Sequence, residues 1–220
     1  MGFTPDIKQI GSHYKLRVRK ADGYLEEIMV TREEIEELEV ISSKLIKPVN
    51  ASKYLRNIYY FAYGSNMLEE QMKDRCGEDN YKNFGCGYIE DFELAFTRRS
   101  QNWCSMGVAD LKDKIGVKTY GQIYRINVIA RNKLDCSEGF KYKKLEDLEK
   151  NSYIRKDDVS IYSDKLKKNV LASCYFANPQ ANFIQPSKKY LDTIIKGAEE
   201  CSLPPSAIDT IRRIGRYDIL

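Results

Sequence analysis

The spacing of apolar positions changes several times along the chain, and each change marks an element. Residues 14–19 alternate, with Tyr14, Leu16 and Val18 set against Lys15, Arg17 and Arg19, which predicts a half-buried strand. Ala21, Asp22 and Gly23 supply a turn and residues 24–30 a returning strand, so the segment reads as a β-hairpin. The period then switches to three and four at Ile35, Leu38, Ile41 and Leu45, one face of a helix. Thr31 and Glu34 form the capping box that would open it, and Pro48 ends it. Residues 49–57 read as a linker. From Ile58 to Ala62 the chain is apolar without a break, as expected for a strand buried on both faces. Gly64 and Ser65 interrupt that run, and a helix from Met67 to Cys76 follows, with Asn66 and Glu69 spaced for a second capping box.

Beyond a glycine-rich loop, strands are predicted at 88–97, 106–111, 118–127, 153–162 and 170–177. Asn127 is placed to cap a short helix reaching Glu138, with Gly139 as its stop. Residues 141–150 are charged and read as exposed. Ser187 caps a helix to Cys201, and Pro204 and Pro205 open another turn or helix. Strands with flanking helices predict an α+β domain over 58–220, most simply a small mixed, partly closed β-barrel. A β-β-α extension and linker, residues 1–57, precede it and are too small to hold much core alone.

Composition narrows the chemistry. The chain of 220 residues is 42% hydrophobic and 31% charged, a folded composition that needs no metal or disulfide staple. There is one histidine, His13, so a Ser-His-Asp set has only that residue to draw on and a multi-histidine zinc site is excluded. The acid-base residue of an enzyme would then be Glu, Asp, Lys, Tyr or Cys. Six scattered cysteines with no C-x-x-C pair suggest free thiols in a reducing cytoplasm. Neither a signal peptide nor a membrane-length apolar run is present in the sequence, which also favours a cytoplasmic location and no membrane partner. The net charge of +4 is mixed along the chain, and no nucleic-acid partner is expected.

Two segments could carry chemistry. The strand-turn-helix ending Tyr63, Gly64, Ser65, Asn66 would leave backbone N–H groups aimed at one spot, a cradle for a carboxylate, phosphate or oxyanion, or simply a capped helix start. Asp135 and Glu138 lie three apart near a helix C-terminus, where the dipole disfavours anions. Either a solvated helix end or a carboxylate tuned towards a useful base accounts for them.

In combination these pieces resemble the gamma-glutamyl cyclotransferase-like family. The matching segments are Tyr60–Met67 (YFAYGSNM), Gly87–Phe96 (GYIEDFELAF), Gly107–Leu111 (GVADL), Val117–Tyr124 (VKTYGQIY), Leu134–Gly139 (LDCSEG) and Pro186–Ala198 (PSKKYLDTIIKGA). The resemblance implies cyclisation of a γ-glutamyl group to 5-oxoproline with release of the attached amine. It also implies that Tyr63, Gly64, Ser65 and Asn66 hold the γ-glutamyl moiety, that Glu138 is the general base, and that a tyrosine lines the pocket, Tyr153 with Tyr142 as competitor. No metal or cofactor is implied. The Y-G-S-N turn departs from the Y-G-S-L of the glutathione-specific branch, so free glutathione is not the default substrate. A single Gly107 stands where relatives often have two. The role of residues 1–57 stays open between covering the site, contacting a partner and joining a second subunit. Two rivals to the enzyme reading are a non-catalytic binding or regulatory module on the same scaffold and acyl transfer through a Cys104 or Cys136 thiolate, which would need a base while His13 is far away in sequence.

Overall fold

The structure is a computed structural model and describes residues 6–10, 13–19, 25–31, 58–140 and 152–216. At the start of the chain β1 (Asp6–Ile10), β2 (His13–Arg19) and β3 (Leu25–Val30) form an antiparallel sheet in the order β1-β2-β3. The expected hairpin is the β2–β3 pair, with Tyr14 opposite Val30 and Arg19 opposite Leu25, while β1 is an addition that the pattern did not announce. The hairpin's turn, the helix expected after Thr31, the linker over 49–57 and the charged stretch 141–150 with Tyr142 lie outside the described residues.

The rest is a mixed sheet of five strands curled into a ring: β4 (Ile58–Ala62), β5 (Tyr81–Ser100), β6 (Met106–Ile126), β7 (Tyr153–Ser163) and β8 (Lys168–Ala177). Their order is β4-β6-β5-β7-β8, and β8 returns to β4 as a parallel neighbour. Two joins are narrow. β5 meets β7 only at Gly87–Ser163 and Tyr88–Tyr162, and β4 meets β8 only at Tyr59–Ala172 and Tyr60–Ser173. The ring is therefore a curled sheet whose edges touch, in keeping with the partly closed barrel that the sequence suggests. β4 is flanked on both sides, and Tyr60, Phe61 and Ala62 are all buried, which is why its sequence shows no alternation.

Two local expectations are corrected. The glycine-rich stretch before Tyr88 is not a loop but the first part of β5. Gly87 is required there because a Cβ would stand 2.2 Å from the Tyr162 carbonyl oxygen where β7 crosses. The strands expected at 106–111 and 118–127 are one strand, β6, interrupted by a bulge. Glu90 pairs with Lys118 and Phe92 with Asp113, so residues 114–117 stand opposite Asp91 alone, whose carboxylate accepts the Gly116 N–H at 2.8 Å.

Among the described residues four helices accompany the ring: α1 (Glu69–Cys76), α2 (Val128–Ser137), α3 (Lys188–Glu200) and α4 (Pro205–Gly215). Asn127 caps α2 by accepting the Ala130 N–H, and Ser187 caps α3 by accepting the Tyr190 N–H. Gly139, with φ of +66°, follows α2 as expected of a helix stop. The capping box expected from Asn66 and Glu69 does not form. Residues 65–67 make a 3-10 turn, and α1 starts only at Glu69 with no side-chain cap. α3 buries Tyr190, Leu191, Ile194, Ile195 and Ala198. The backbone of Met67 and Leu68 lies directly on Gly197 of this helix, where a Cβ would come within 2.4 Å of the Leu68 nitrogen.

A buried cation ties α2 to the ring. The Arg155 side chain on β7 is only 2% exposed and pairs with Asp135 of α2 at 2.5 Å and with Asp157 at 3.1 Å. Asp157 also accepts the Ser173 hydroxyl of β8 at 2.6 Å. Burial alone would raise the Asp157 carboxyl, but Arg155 and the Ser173 hydroxyl overcome it and hold it below the usual carboxylate value. For Asp135 burial wins, and its carboxyl is raised despite Arg155 and the Tyr175 hydroxyl.

Gly197→Ala would recover about 1 kcal/mol of helix propensity. It would also force the 65–68 turn off α3, an overpacking that costs about 1–3 kcal/mol. The variant should thus be less stable than the parent in chemical denaturation, and equal or greater stability would contradict the close approach. Asp157, held down in the fold, contributes stability that is present above its ordinary value of 3.8 and lost as the pH falls through its lower folded value. The melting-temperature difference between the parent and Asp157→Asn should therefore be fully developed at neutral pH and close in strong acid. A gap that widened with acid would reverse the assignment.

Candidate functional site

β4 leaves the ring at Ala62, and the chain turns through Tyr63, Gly64, Ser65 and Asn66 across the end of the sheet. The turn closes on itself through Met67 N–H to Gly64 O at 2.9 Å and Leu68 N–H to Ser65 O at 3.2 Å. Among the described residues no acceptor faces the N–H groups of Gly64, Ser65 and Asn66. Gly64 packs between β6 and α3, with room for a Cβ only 3.1 Å from that of Ala109 and 3.3 Å from the Tyr190 hydroxyl.

Asn66 is buried, and its side chain links three elements. Its amide nitrogen donates to the Tyr60 hydroxyl at 2.7 Å and to Glu138 Oε1 at 3.1 Å, while its oxygen accepts from Gln71 at 3.0 Å. Gln71 also donates to Ser65 Oγ at 2.6 Å. This explains the missing helix cap: the Asn66 side chain is committed to Tyr60, Gln71 and Glu138.

Glu138 is the residue at the C-terminal cap of α2, with φ of −83° and ψ of −2°. Its Oε1 also accepts from Arg75 Nη1 of α1 at 2.5 Å, in an ion pair with side chains 18% and 14% exposed for Arg75 and Glu138. Oε2 has no hydrogen-bond partner among the described residues. Burial would lower the Arg75 guanidinium, but the Glu138 charge and the Tyr60 phenol overcome it, so Arg75 remains a firm cation.

The other tyrosines pack around the turn. Tyr153 donates to the Ala109 carbonyl at 2.6 Å, and the Tyr190 hydroxyl accepts the Ala109 N–H at 3.0 Å, so two phenols grip Ala109, whose Cβ lies beside Gly64. Tyr63 turns its hydroxyl to the Tyr175 carbonyl at 2.6 Å. Tyr60, Tyr63 and Tyr153 are all raised well above the usual phenol value, first by burial and further by the Glu138 charge. Tyr190 is raised to about 12 for the same reasons. These phenols are neutral hydrogen-bonding groups at physiological pH.

The structure thus brings Asn66 and Glu138 into direct contact, sets Tyr63, Gly64 and Ser65 in the same turn, and ties Tyr153 to the strand beside it. Sequence reasoning singled out neither Gln71 and Arg75 nor the Tyr60 hydroxyl. Gln71 and Arg75 are four apart on α1, the spacing that puts two polar side chains on one helix face, and that was the available signal. Two open grooves lie elsewhere. One of about 530 Å³ runs along α3 beside Leu68, and one of about 480 Å³ lies between α1 and the start of β5. Among the described residues no helix is long and apolar enough to cross a membrane.

Residues 118–211 match the AIG2-like family. The chain is 29% identical over 163 residues to the gamma-glutamylcyclotransferase of Homo sapiens, covering 72% of this chain and 79% of that protein. It is 27% identical over 149 residues to the enzyme of the same name from Bos taurus, covering 66% and 72% respectively. A solved gamma-glutamyl cyclotransferase superposes with a TM-score of 0.60 at 26% identity, over 70% of this chain and 86% of its own. The crystal structure of YkqA from Bacillus subtilis superposes with a TM-score of 0.60 at 20% identity over 94% of this chain and 71% of its own, a likeness of fold that reaches into the residues before β4. The ring of strands, the order of the motifs and these relatives agree: in sequence and in fold the chain is similar to the gamma-glutamyl cyclotransferases.

Proposed function

We propose that the protein is a gamma-glutamyl cyclotransferase acting on a γ-glutamyl amine, amino acid or modified metabolite, with Glu138 as the general base. The observation that carries this is the meeting of the Glu138 carboxylate with Asn66 of the turn at 3.1 Å, with Oε2 unengaged among the described residues. The nucleophile is the substrate's own α-amine, an ammonium at neutral pH that cannot attack until it loses a proton. Oε2 of Glu138 accepts that proton, while Arg75 and Asn66 hold Oε1 and so fix the carboxylate's direction.

The freed amine attacks the γ-carbonyl and closes a five-membered ring, for which the substrate itself supplies most of the proximity. Charge then develops on the carbonyl oxygen. The N–H groups of Gly64, Ser65 and Asn66, without protein acceptors among the described residues, are the donors suited to that oxyanion. As the tetrahedral intermediate collapses, the C–N bond to the leaving amine breaks as the proton held by Glu138 passes to that nitrogen, and the excess proton on the ring nitrogen passes to the carboxylate so freed, leaving the neutral lactam N–H. Tyr153 and Tyr190, anchored on Ala109 and neutral, form the walls beside Gly64.

Glu138→Gln preserves size and the hydrogen-bonding oxygen but cannot carry the proton. We expect it to lower 5-oxoproline release from a responsive γ-glutamyl compound by about 10²–10⁴-fold, with the melting temperature nearly unchanged. Near-parental turnover would remove Glu138 from the role. No release by the parent from any γ-glutamyl amine or amino acid would favour the non-catalytic module instead.

A further inference from the structure

Asp135 lies three residues before Glu138, and the reaction as described does not use it. Its carboxylate is nevertheless fully engaged. Oδ1 accepts the Tyr175 hydroxyl at 2.7 Å, and Oδ2 accepts Arg155 Nη1 at 2.5 Å. Tyr175 sits on β8, and its backbone carbonyl is the acceptor for the Tyr63 hydroxyl at 2.6 Å. One residue of the ring therefore holds the turn by its main chain and the end of α2 by its phenol. Arg155 grips the same helix end twice, through Asp135 and through the face of Phe140, whose ring centre lies 5.2 Å from the guanidinium carbon. The Phe140 N–H in turn bonds back to the Asp135 carbonyl at 2.8 Å. Glu138 stands between these two clamped residues.

We propose that Asp135 and Tyr175 are positioning residues that set the separation between the Glu138 carboxylate and the Tyr63–Asn66 turn. Tyr175 is the shared reference point, since a shift of its strand moves both halves together, whereas loss of its phenol contact frees only the acid. Neither residue touches the reacting atoms. Their effect passes through the backbone of α2's last turn into Glu138, and this role rests on the reading of Glu138 as the base.

The test uses the full chain with Tyr175→Phe, which removes one hydroxyl, Asp135→Asn, which retains the shape, and the double variant. If the clamp positions Glu138, each single variant should lower kcat by about 10–100-fold with KM nearly unchanged, the scale expected of a misplaced group. The double variant should lose little more than Asp135→Asn alone, because both substitutions break one linkage. Crystal structures of Tyr175→Phe and, should Asp135→Asn fold poorly, of Tyr175→Phe alone, should show the Glu138 carboxylate displaced from its 3.1 Å contact with Asn66. Unchanged kcat with an active parent, or a carboxylate that stays on Asn66, would overturn the positioning role. A parent that releases no 5-oxoproline would instead defeat the enzymatic reading, and the crystallographic comparison would still decide whether the clamp holds Glu138 in place.

Discussion

A guanidinium on a strand of the ring that is only 2% exposed cannot stand alone. Burying a charge without partners costs several kcal/mol, and removing one partner of a buried pair typically costs about 3–5 kcal/mol. Arg155 therefore demands carboxylates, and it has two from different places: Asp157 from its own strand and Asp135 from α2. The local partner alone would keep the ring self-contained. The distant partner brings a helix onto the strands at a fixed point, and that point is one turn before Glu138. The geometry of the candidate site is thus a consequence of how the fold accommodates one cation.

The site itself combines one ion pair with a surround of neutral donors. Glu138 and Arg75 are partly buried, and around them stand phenols that burial keeps protonated. Such a surround strengthens hydrogen bonds without adding competing charge. The approach of backbones is equally close. The turn is wedged between Ala109 on one side and Gly197 of α3 on the other, and both contacts exist because a glycine is present at Gly64 or Gly197. A turn so confined offers its N–H groups in a fixed direction, which is the property that an oxyanion or carboxylate site requires.

Much of this fold was legible in the sequence, and the legible parts are local. Asn127 and Ser187 cap the helices that they precede, the unbroken apolar run 58–62 is the strand with neighbours on both sides, and Gly139 ends α2 with a positive φ. The misjudged elements have physical reasons. Gly85 and Gly87 look like loop residues, yet the second is a strand glycine made necessary by β7 crossing within reach of its Cα. Residues 114–117 look like a break between strands but are a bulge that Asp91 satisfies. At the candidate site, the Tyr63–Asn66 turn and Glu138 could be singled out by motif. Arg75 and the Asp135–Tyr175 link could not, since each is defined by a partner far away in sequence, and the Tyr60 hydroxyl meets Asn66 only because the turn folds back over β4.

The failed helix cap at Asn66 shows how the halves of the site depend on each other. By local rules Asn66 should accept an N–H of α1, and Glu138 should be disfavoured at the negative end of α2 by a few tenths of a kcal/mol. In the structure each departure resolves the other. Asn66 gives up the cap and donates to Glu138, and α1, started two residues later than expected and without a cap, directs Gln71 and Arg75 at the same cluster. A charge-assisted hydrogen bond to Glu138 is worth about 1.5–3 kcal/mol, more than the dipole penalty and enough to offset the lost cap, typically about 1 kcal/mol. The acid is therefore comfortable where local reasoning called it misplaced, and α1 acts as a helix face presenting two donors rather than as a helix N-terminus cradling an anion.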